Sequence, residues 1–168
     1  MMMTEEIAKI VWNPSTRELL DIVLLETNIH FKCRRCAVFC CKLGGPRVTE
    51  KDIGRLRKAG YGPTSLLNQT QGEKTWQAAD KGMVLRHRED GSCVFLRFDS
   101  RNNRYECSIY DLRPSVCRLY PFEFQETGQG TGSLRLIPCC NGLNTRDGSL
   151  VDRGFVEKHL LGPIVDLL

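Results

Sequence analysis

The sequence predicts an α+β fold: a single small domain in which N-terminal and C-terminal helices flank a short antiparallel β-meander, held together by cysteine-ligated metal. Three observations predict it. Apolar residues recur at helical spacing near both ends, as Leu19, Leu20, Val23 and Leu24 and again as Phe155, Val156, Leu160 and Leu161. Between residues 83 and 110 the period shortens to two, with turn residues between the runs. Nine cysteines occur in 168 residues, and a chain of this length can bury a core without a disulfide framework.

The first helix is expected from Asn13-Pro14, with Asn as N-cap and Pro at the first helical position. Ile22 and Leu25 widen its apolar stripe, while Arg17, Glu18 and Asp21 lie off it. Residues 42–46, Lys-Leu-Gly-Gly-Pro, read as a loop. Thr49 caps a second helix, with Asp52 as an acidic version of the capping box. Ile53 and Leu56 face inward there, and Gly60 is the stop. Residues 63–68 suit a short third helix, and 69–82, polar with two glycines, read as irregular.

Three strands follow, at residues 83–88, 93–99 and 104–110, joined by Glu89-Asp90-Gly91-Ser92 and Ser100-Arg101-Asn102-Asn103. Arg113-Pro114 opens a short helix that carries Cys117 and ends near Tyr120-Pro121. Residues 122–126 and 133–137 form a hairpin around a glycine-rich turn. That turn has no following helix start or Lys-Ser/Thr pair, so it does not read as a phosphate loop. Ser149 and Asp152 start the last amphipathic helix, which Gly162-Pro163 breaks. The helices at 1–30 and 149–168 thus flank a core at 31–143.

The chemistry concentrates in residues 33–41, where Cys33, Cys36, Cys40 and Cys41 follow the pattern C-x2-C-x3-C-C. In a C-x2-C knuckle the two intervening residues turn tightly enough for both sulfurs to reach one ion. Cys40 reaches the same centre from the next turn. Adjacent residues rarely place both side chains on one tetrahedral ion, so Cys41 serves another centre or the far side of a larger cluster. Cys93, Cys107, Cys117 and one of Cys139 and Cys140 bring the set to eight, enough for two four-ligand centres. Lys32, Arg34, Arg35, Arg113 and Arg118 lie beside these cysteines and favour the thiolate form that binds metal. Three closely spaced cysteines with a distant fourth suit an iron–sulfur cluster. Zinc, the alternative, more often takes two C-x2-C pairs. His30, His87 and His159 are too scattered to serve as a ligand set.

The first 30 residues carry no basic, uninterrupted signal segment, and the run 19–25 is interrupted by Asp21 and too short to span a bilayer. The chain reads as cytoplasmic, without membrane insertion, where thiols stay reduced. A net charge of +4 is mild. Lys51, Arg55, Arg57 and Lys58 form one basic patch, and Arg86 and Arg88 another. Both read as solvated faces rather than nucleic-acid contacts, because no reading motif accompanies them.

The C-x2-C-x3-C-C stretch, the run from Thr49 to Ile53, Gly91-Ser92-Cys93-Val94-Phe95-Leu96 and the run from Cys107 to Pro121 together resemble the YkgJ-type cysteine-cluster family. That resemblance covers about residues 31–143 and implies a zinc- or iron-chelating domain. It implies metal ligands at Cys33, Cys36, Cys40, Cys41, Cys93, Cys107, Cys117 and Cys140. Family members continue from the last cysteine as Cys-Pro-Gly; here Cys140-Asn141-Gly142 keeps only the glycine, and Cys139 is extra. The family's kinship with flagellin lysine methylases implies a link to protein methylation, with a protein substrate or partner and S-adenosylmethionine as a further cofactor.

The first expectation is therefore an iron–sulfur protein in which Arg113 and Arg118 orient or neutralise thiolates, with Tyr110 and Tyr120 as candidate walls. A zinc-stabilised binding module, with residues 51–58 as its contact face, and a protein methyltransferase are the alternatives. Against the enzyme, the sequence lacks a glycine-rich nucleotide turn between strand and helix and a nameable catalytic constellation. Tyr110-Asp111 offers an acid, but Asp111 suits a cap for the Arg113-Pro114 helix equally well.

Overall fold

The computed structural model describes residues 4–37, 40, 45–62, 76–79 (as backbone) and 82–168. Cys41, the expected helix at 63–68 and most of the 42–46 loop lie outside them. The fold is α+β, with short antiparallel sheets and a C-terminal helix. Its contacts divide it into two compact units, residues 1–34 with 119–168, and residues 35–118.

The first unit is built on a four-stranded antiparallel sheet of order β2-β1-β10-β9. Its strands are β1 Glu5–Trp12, β2 Leu19–Leu24, β9 Phe122–Gly128 and β10 Thr131–Leu136. β1 lies between β2 and β10, with Ile10 opposite both Ile22 and Gly132. Ala8, Ile10 and Trp12 alternate inward and join Ile22, Leu134, Val156, Leu160 and Ile164 in one core. Two short strands, β3 His30–Phe31 and β11 Ser149–Leu150, pair beside it.

The expected N-terminal helix is instead the β1–β2 hairpin. Asn13 does cap a turn: its side-chain oxygen accepts the N–H groups of Ser15 and Thr16 at 2.9 and 3.2 Å. But Arg17 takes a φ of 59° and the chain doubles back, Asn13 N–H donating to the Glu18 carbonyl at 2.8 Å. Asn-Pro-Ser-Thr supports a helix start and a hairpin turn equally. The ladder offered by β1 decides between them. Ile22 is 5% exposed while Leu20 and Val23, members of the supposed helical stripe, are 58% and 43% exposed.

The C-terminal helix starts as expected, with the Asp152 carboxylate accepting the Phe155 N–H at 2.8 Å. α3 Arg153–Phe155 passes into a π-helical turn, Val156–Leu160, and then α4 Leu161–Leu167. Gly162-Pro163 does not break it. The wide π turn relieves the clash that a proline ring makes with the preceding turn, and Pro163 falls in the first turn of α4.

The second unit holds β4 Arg47–Val48, α1 Glu50–Lys58, β5 Trp76–Ala79, β6 Gly82–Leu85, β7 Leu96–Asp99, β8 Arg104–Cys107, a 3-10 turn at Tyr110–Leu112 and α2 Ser115–Leu119. Ile53 and Leu56 face its core with Val48, Leu85, Phe95, Leu96 and Ile109. The stretch expected to be irregular contains β5. The meander is also corrected: β6 joins β4 and β5 in one sheet, and β7 and β8 form a separate hairpin. A bridge between His87 and Cys93, with the Val94 N–H donating to the Arg86 carbonyl at 3.0 Å, joins the regions. The carbonyls of residues 93, 94 and 96 are taken by the Arg88 guanidinium instead of a neighbouring strand.

Asp52 does more than its place in the capping box suggests. One carboxylate oxygen accepts the Thr49 N–H at 2.8 Å, while Thr49 accepts the Asp52 N–H at 3.1 Å. The other accepts the Ser115 N–H and hydroxyl, both at 3.0 Å, and pairs with Arg55. Asp52 is 1% exposed, so a single carboxylate satisfies the starts of α1 and α2. Asp52→Ala should destabilise the chain by about 3–5 kcal/mol, because it orphans the buried donors of Thr49 and Ser115 and removes the partner of the half-buried Arg55. Ser115→Ala, which removes only the hydroxyl, should cost about 1 kcal/mol in the same urea unfolding measurement.

Candidate metal centre

Four of the expected ligands line one small cavity of the second unit: Cys40, Cys93, Cys107 and Cys117. They come from four places in the chain. Cys40 belongs to the C-x2-C-x3-C-C stretch. Cys93 follows the tight turn after Arg88, Cys107 ends β8 opposite Leu96, and Cys117 sits on α2. Leu85, Phe95, Ile109 and Pro114 complete apolar walls, and Arg113 supplies the charged group. The cavity measures about 10 Å³, near the room one water-sized sphere needs.

Burial raises the Cys93 thiol to about 11, reinforced by the nearby Cys107 and Cys40 and opposed by Arg88. Cys117 is likewise pushed well up, first by burial and then by Cys93, Cys40 and Cys107, with Arg113 opposing. Among the described residues, no three His, Cys, Asp or Glu side chains stand closed to metal-holding geometry. The donor set fits the group even so: four soft sulfur ligands in an apolar, solvent-poor shell suit zinc or iron, and a cation offsets the cost of ionising them together.

Arg113 is tied to the cavity wall by its side chain. Its Nε donates to the Tyr110 carbonyl at 2.9 Å and its Nη1 to the Cys117 carbonyl at 3.4 Å. Its guanidinium lies 3.9 Å from the centre of the Tyr110 ring, and that of Arg35 lies at the same distance. Two cations at that range must occupy opposite faces, so Tyr110 is sandwiched. Each stacking contact is worth about 0.5–2 kcal/mol. It helps to hold a costly piece of backbone. Arg35 and Ala37, on either side of Cys36, both have φ of 53°, a conformation that costs a non-glycine residue about 1–2 kcal/mol.

The other expected site residues lie elsewhere. Cys36 is half-buried but does not line the cavity. Arg118 is exposed and also absent from the lining. Tyr110 is a wall only through its stack with Arg113. Cys33, Cys139 and Cys140 belong to the first unit. There the Lys32 N–H donates to the Gly142 carbonyl at 3.0 Å, and the Gly142 N–H donates to the Cys140 sulfur at 3.4 Å. A Cβ at residue 142 would stand 2.3 Å from the Lys32 carbonyl oxygen, so the turn after Cys140 requires glycine. Lys32 and Arg34 turn to Asp147, at 3.0 and 2.5 Å. Hydrogen bonds from Arg34, and then Lys32, hold that carboxylate well below its usual range.

Two residues that organise the second unit escape a motif reading. Asp52 is legible as a cap of its own helix but not as the anchor of Ser115. Arg88 reads as part of a basic patch. Its signal is its place just before a Glu-Asp-Gly-Ser turn, where a long cationic side chain can fold back over the carbonyls that follow.

Burial and raised pKa values order the reactivity of the metal-free chain. At pH 8, Cys33, which is exposed, should be alkylated by iodoacetamide first, and Cys93 and Cys117 last. A thiol at about 11 rather than 9.0 holds about a hundredfold less thiolate. Peptide mapping by mass spectrometry over time reads the order directly.

Residues 32–135 match the family described as "Putative zinc- or iron-chelating domain", CxxCxxCC. The chain is also similar to two uncharacterized proteins of Methanocaldococcus jannaschii. It is 30% identical to MJ0661 over 138 residues, 80% of this chain and 69% of the relative. It is 23% identical to MJ0939 over 154 residues, 89% of this chain and 47% of the relative, so it spans about half of that protein's length. No solved structure matches. The chain belongs to the CxxCxxCC zinc- or iron-chelating family, the cysteine-cluster family that its own motif resembles.

Proposed function

We propose that residues 35–118 bind one zinc or iron ion on the sulfurs of Cys40, Cys93, Cys107 and Cys117, and that this ion stabilises the fold of a metal-binding module. The observation that carries this reading is the convergence of these four cysteines on one apolar cavity. Four sulfur donors satisfy a tetrahedral ion completely and leave no open position for a substrate, which favours a structural centre over a catalytic one. In a reducing cytoplasm the four cysteines remain available as ligands. S-adenosylmethionine finds no support in this cavity, where Arg113 is the charged residue among the described lining.

Holding the ion requires the buried thiols to lose protons, so binding should release protons and weaken as pH falls. Ligation also links the end of β8, the loop after Arg88 and α2, which makes binding free energy into folding free energy.

Anaerobic titration of the metal-free chain with zinc or ferrous ion, followed by metal analysis after gel filtration, tests the reading. Wild type should retain metal, and Cys93→Ser, Cys107→Ser and Cys117→Ser should each retain one ion fewer per chain. A folded wild type that retains no metal, or three variants that keep the full content, would refute it. Acid-labile sulfide in the chain as purified anaerobically, together with more than one iron lost per cysteine replaced, would put a cluster in place of the single ion.

A further inference from the structure

We propose that Arg88 is a positioning residue for this centre, acting on Cys93 through the carbonyls of the loop that carries it; the inference rests on the four-cysteine reading above. Arg88 is half-buried, unlike the solvated basic face expected of Arg86 and Arg88. Its Nη1 donates to the carbonyls of Cys93 at 3.0 Å and Leu96 at 2.7 Å, and its Nη2 to the carbonyl of Val94 at 2.8 Å. One guanidinium therefore gathers three carbonyls from a four-residue span.

The backbone around it is closed on the same residue. The Arg88 N–H donates to the Ser92 carbonyl at 2.7 Å, and the Gly91 N–H returns to the Arg88 carbonyl at 2.9 Å. Gly91 takes a φ of 83°, and Asp90 accepts both the N–H and the hydroxyl of Ser92 at 2.9 and 2.6 Å. The Val94 N–H reaches the Arg86 carbonyl at 3.0 Å, and the Leu96 N–H the Cys93 carbonyl at 3.0 Å. With the backbone of residues 88–96 held at both ends and from within, the buried side chain of Cys93 has its direction set. That direction is into the cavity shared with Cys40, Cys107 and Cys117.

The demand is for a planar fork. Three carbonyls reached from two terminal nitrogens need donors fixed in one plane, which a lysine ammonium does not offer. Neighbours that orient a ligand typically change metal affinity 10–100-fold when removed. Arg88 also carries a positive charge beside a sulfur that must ionise to bind. The lysine variant separates charge from geometry.

The test uses the full chain and cobalt(II) as a spectroscopic substitute for zinc, with zinc affinity measured by chelator competition. Arg88→Gln should weaken zinc binding about 10–100-fold and lower the sulfur-to-cobalt charge-transfer band from its four-sulfur intensity toward that of Cys93→Ser. Arg88→Lys should not restore either quantity. The double variant Arg88→Gln/Cys93→Ser should bind no more weakly than Cys93→Ser alone, because both changes remove one contribution. Arg88→Gln with wild-type affinity and a full band overturns the inference, as do additive losses in the double variant or full rescue by lysine. A wild type that binds no cobalt, zinc or ferrous ion overturns the metal reading itself and this inference with it. A wild type that binds beside an unaffected Arg88→Gln overturns this inference alone.

Discussion

The buried carboxylate of Asp52 organises the second unit. A helix start leaves backbone N–H groups without partners, and a buried start must find acceptors. Here one side chain supplies them for two helices, through Thr49 on one oxygen and Ser115 on the other. The arrangement fixes where α2 begins relative to α1, and α2 carries Cys117. Arg55 balances the charge from the same helix turn, which makes burial of the carboxylate tolerable. The cavity therefore inherits its precision from a polar contact that touches no sulfur.

Around that frame, each sulfur is held by a different device. Arg88 gathers the carbonyls beside Cys93. The β7–β8 ladder places Cys107 opposite Leu96. Arg113 binds the carbonyls of Tyr110 and Cys117 and stacks on the Tyr110 ring that Arg35 covers from the other side. The left-handed residues Arg35 and Ala37 show that the chain on either side of Cys36 is not relaxed. Such strain persists only where surrounding contacts over-determine it. Burial pushes the Cys93 and Cys117 thiols up, so any ion held there must offset the cost of ionising them.

In the first unit the same cysteine-rich sequence serves a different economy of contacts. Lys32 and Arg34, which flank Cys33, are engaged with Asp147 across a long sequence separation. Exposed pairs of this kind add little to stability, about 0–1 kcal/mol. Their effect is local: they take two cations away from the sulfur that sequence proximity assigned them to. Gly142 shows the tighter constraint, since the Lys32 carbonyl leaves no room for a side chain.

Local chemistry made much of this protein legible. The Thr49 cap, the inward Ile53 and Leu56, the Arg-Pro start of the helix bearing Cys117, the hairpin at 122–136 and the Asp152 cap all follow from residues near one another in sequence. So does the family, because its motif is a spacing of ligands. The alternation of Ala8, Ile10 and Trp12 around Lys9 was also there to be read as β1. What tertiary structure alone decided was the choice between equally good local options. Asn13-Pro14 turns a hairpin because β1 offers a ladder, Arg88 folds inward because three carbonyls await it, and the cavity gathers Cys40, Cys93, Cys107 and Cys117 while Cys36 stays off its lining. A spacing of cysteines places the chain in its zinc- or iron-chelating family; which sulfurs share a cavity depends on where distant strands and helices are anchored, and those anchors are hydrogen bonds between residues far apart in the chain.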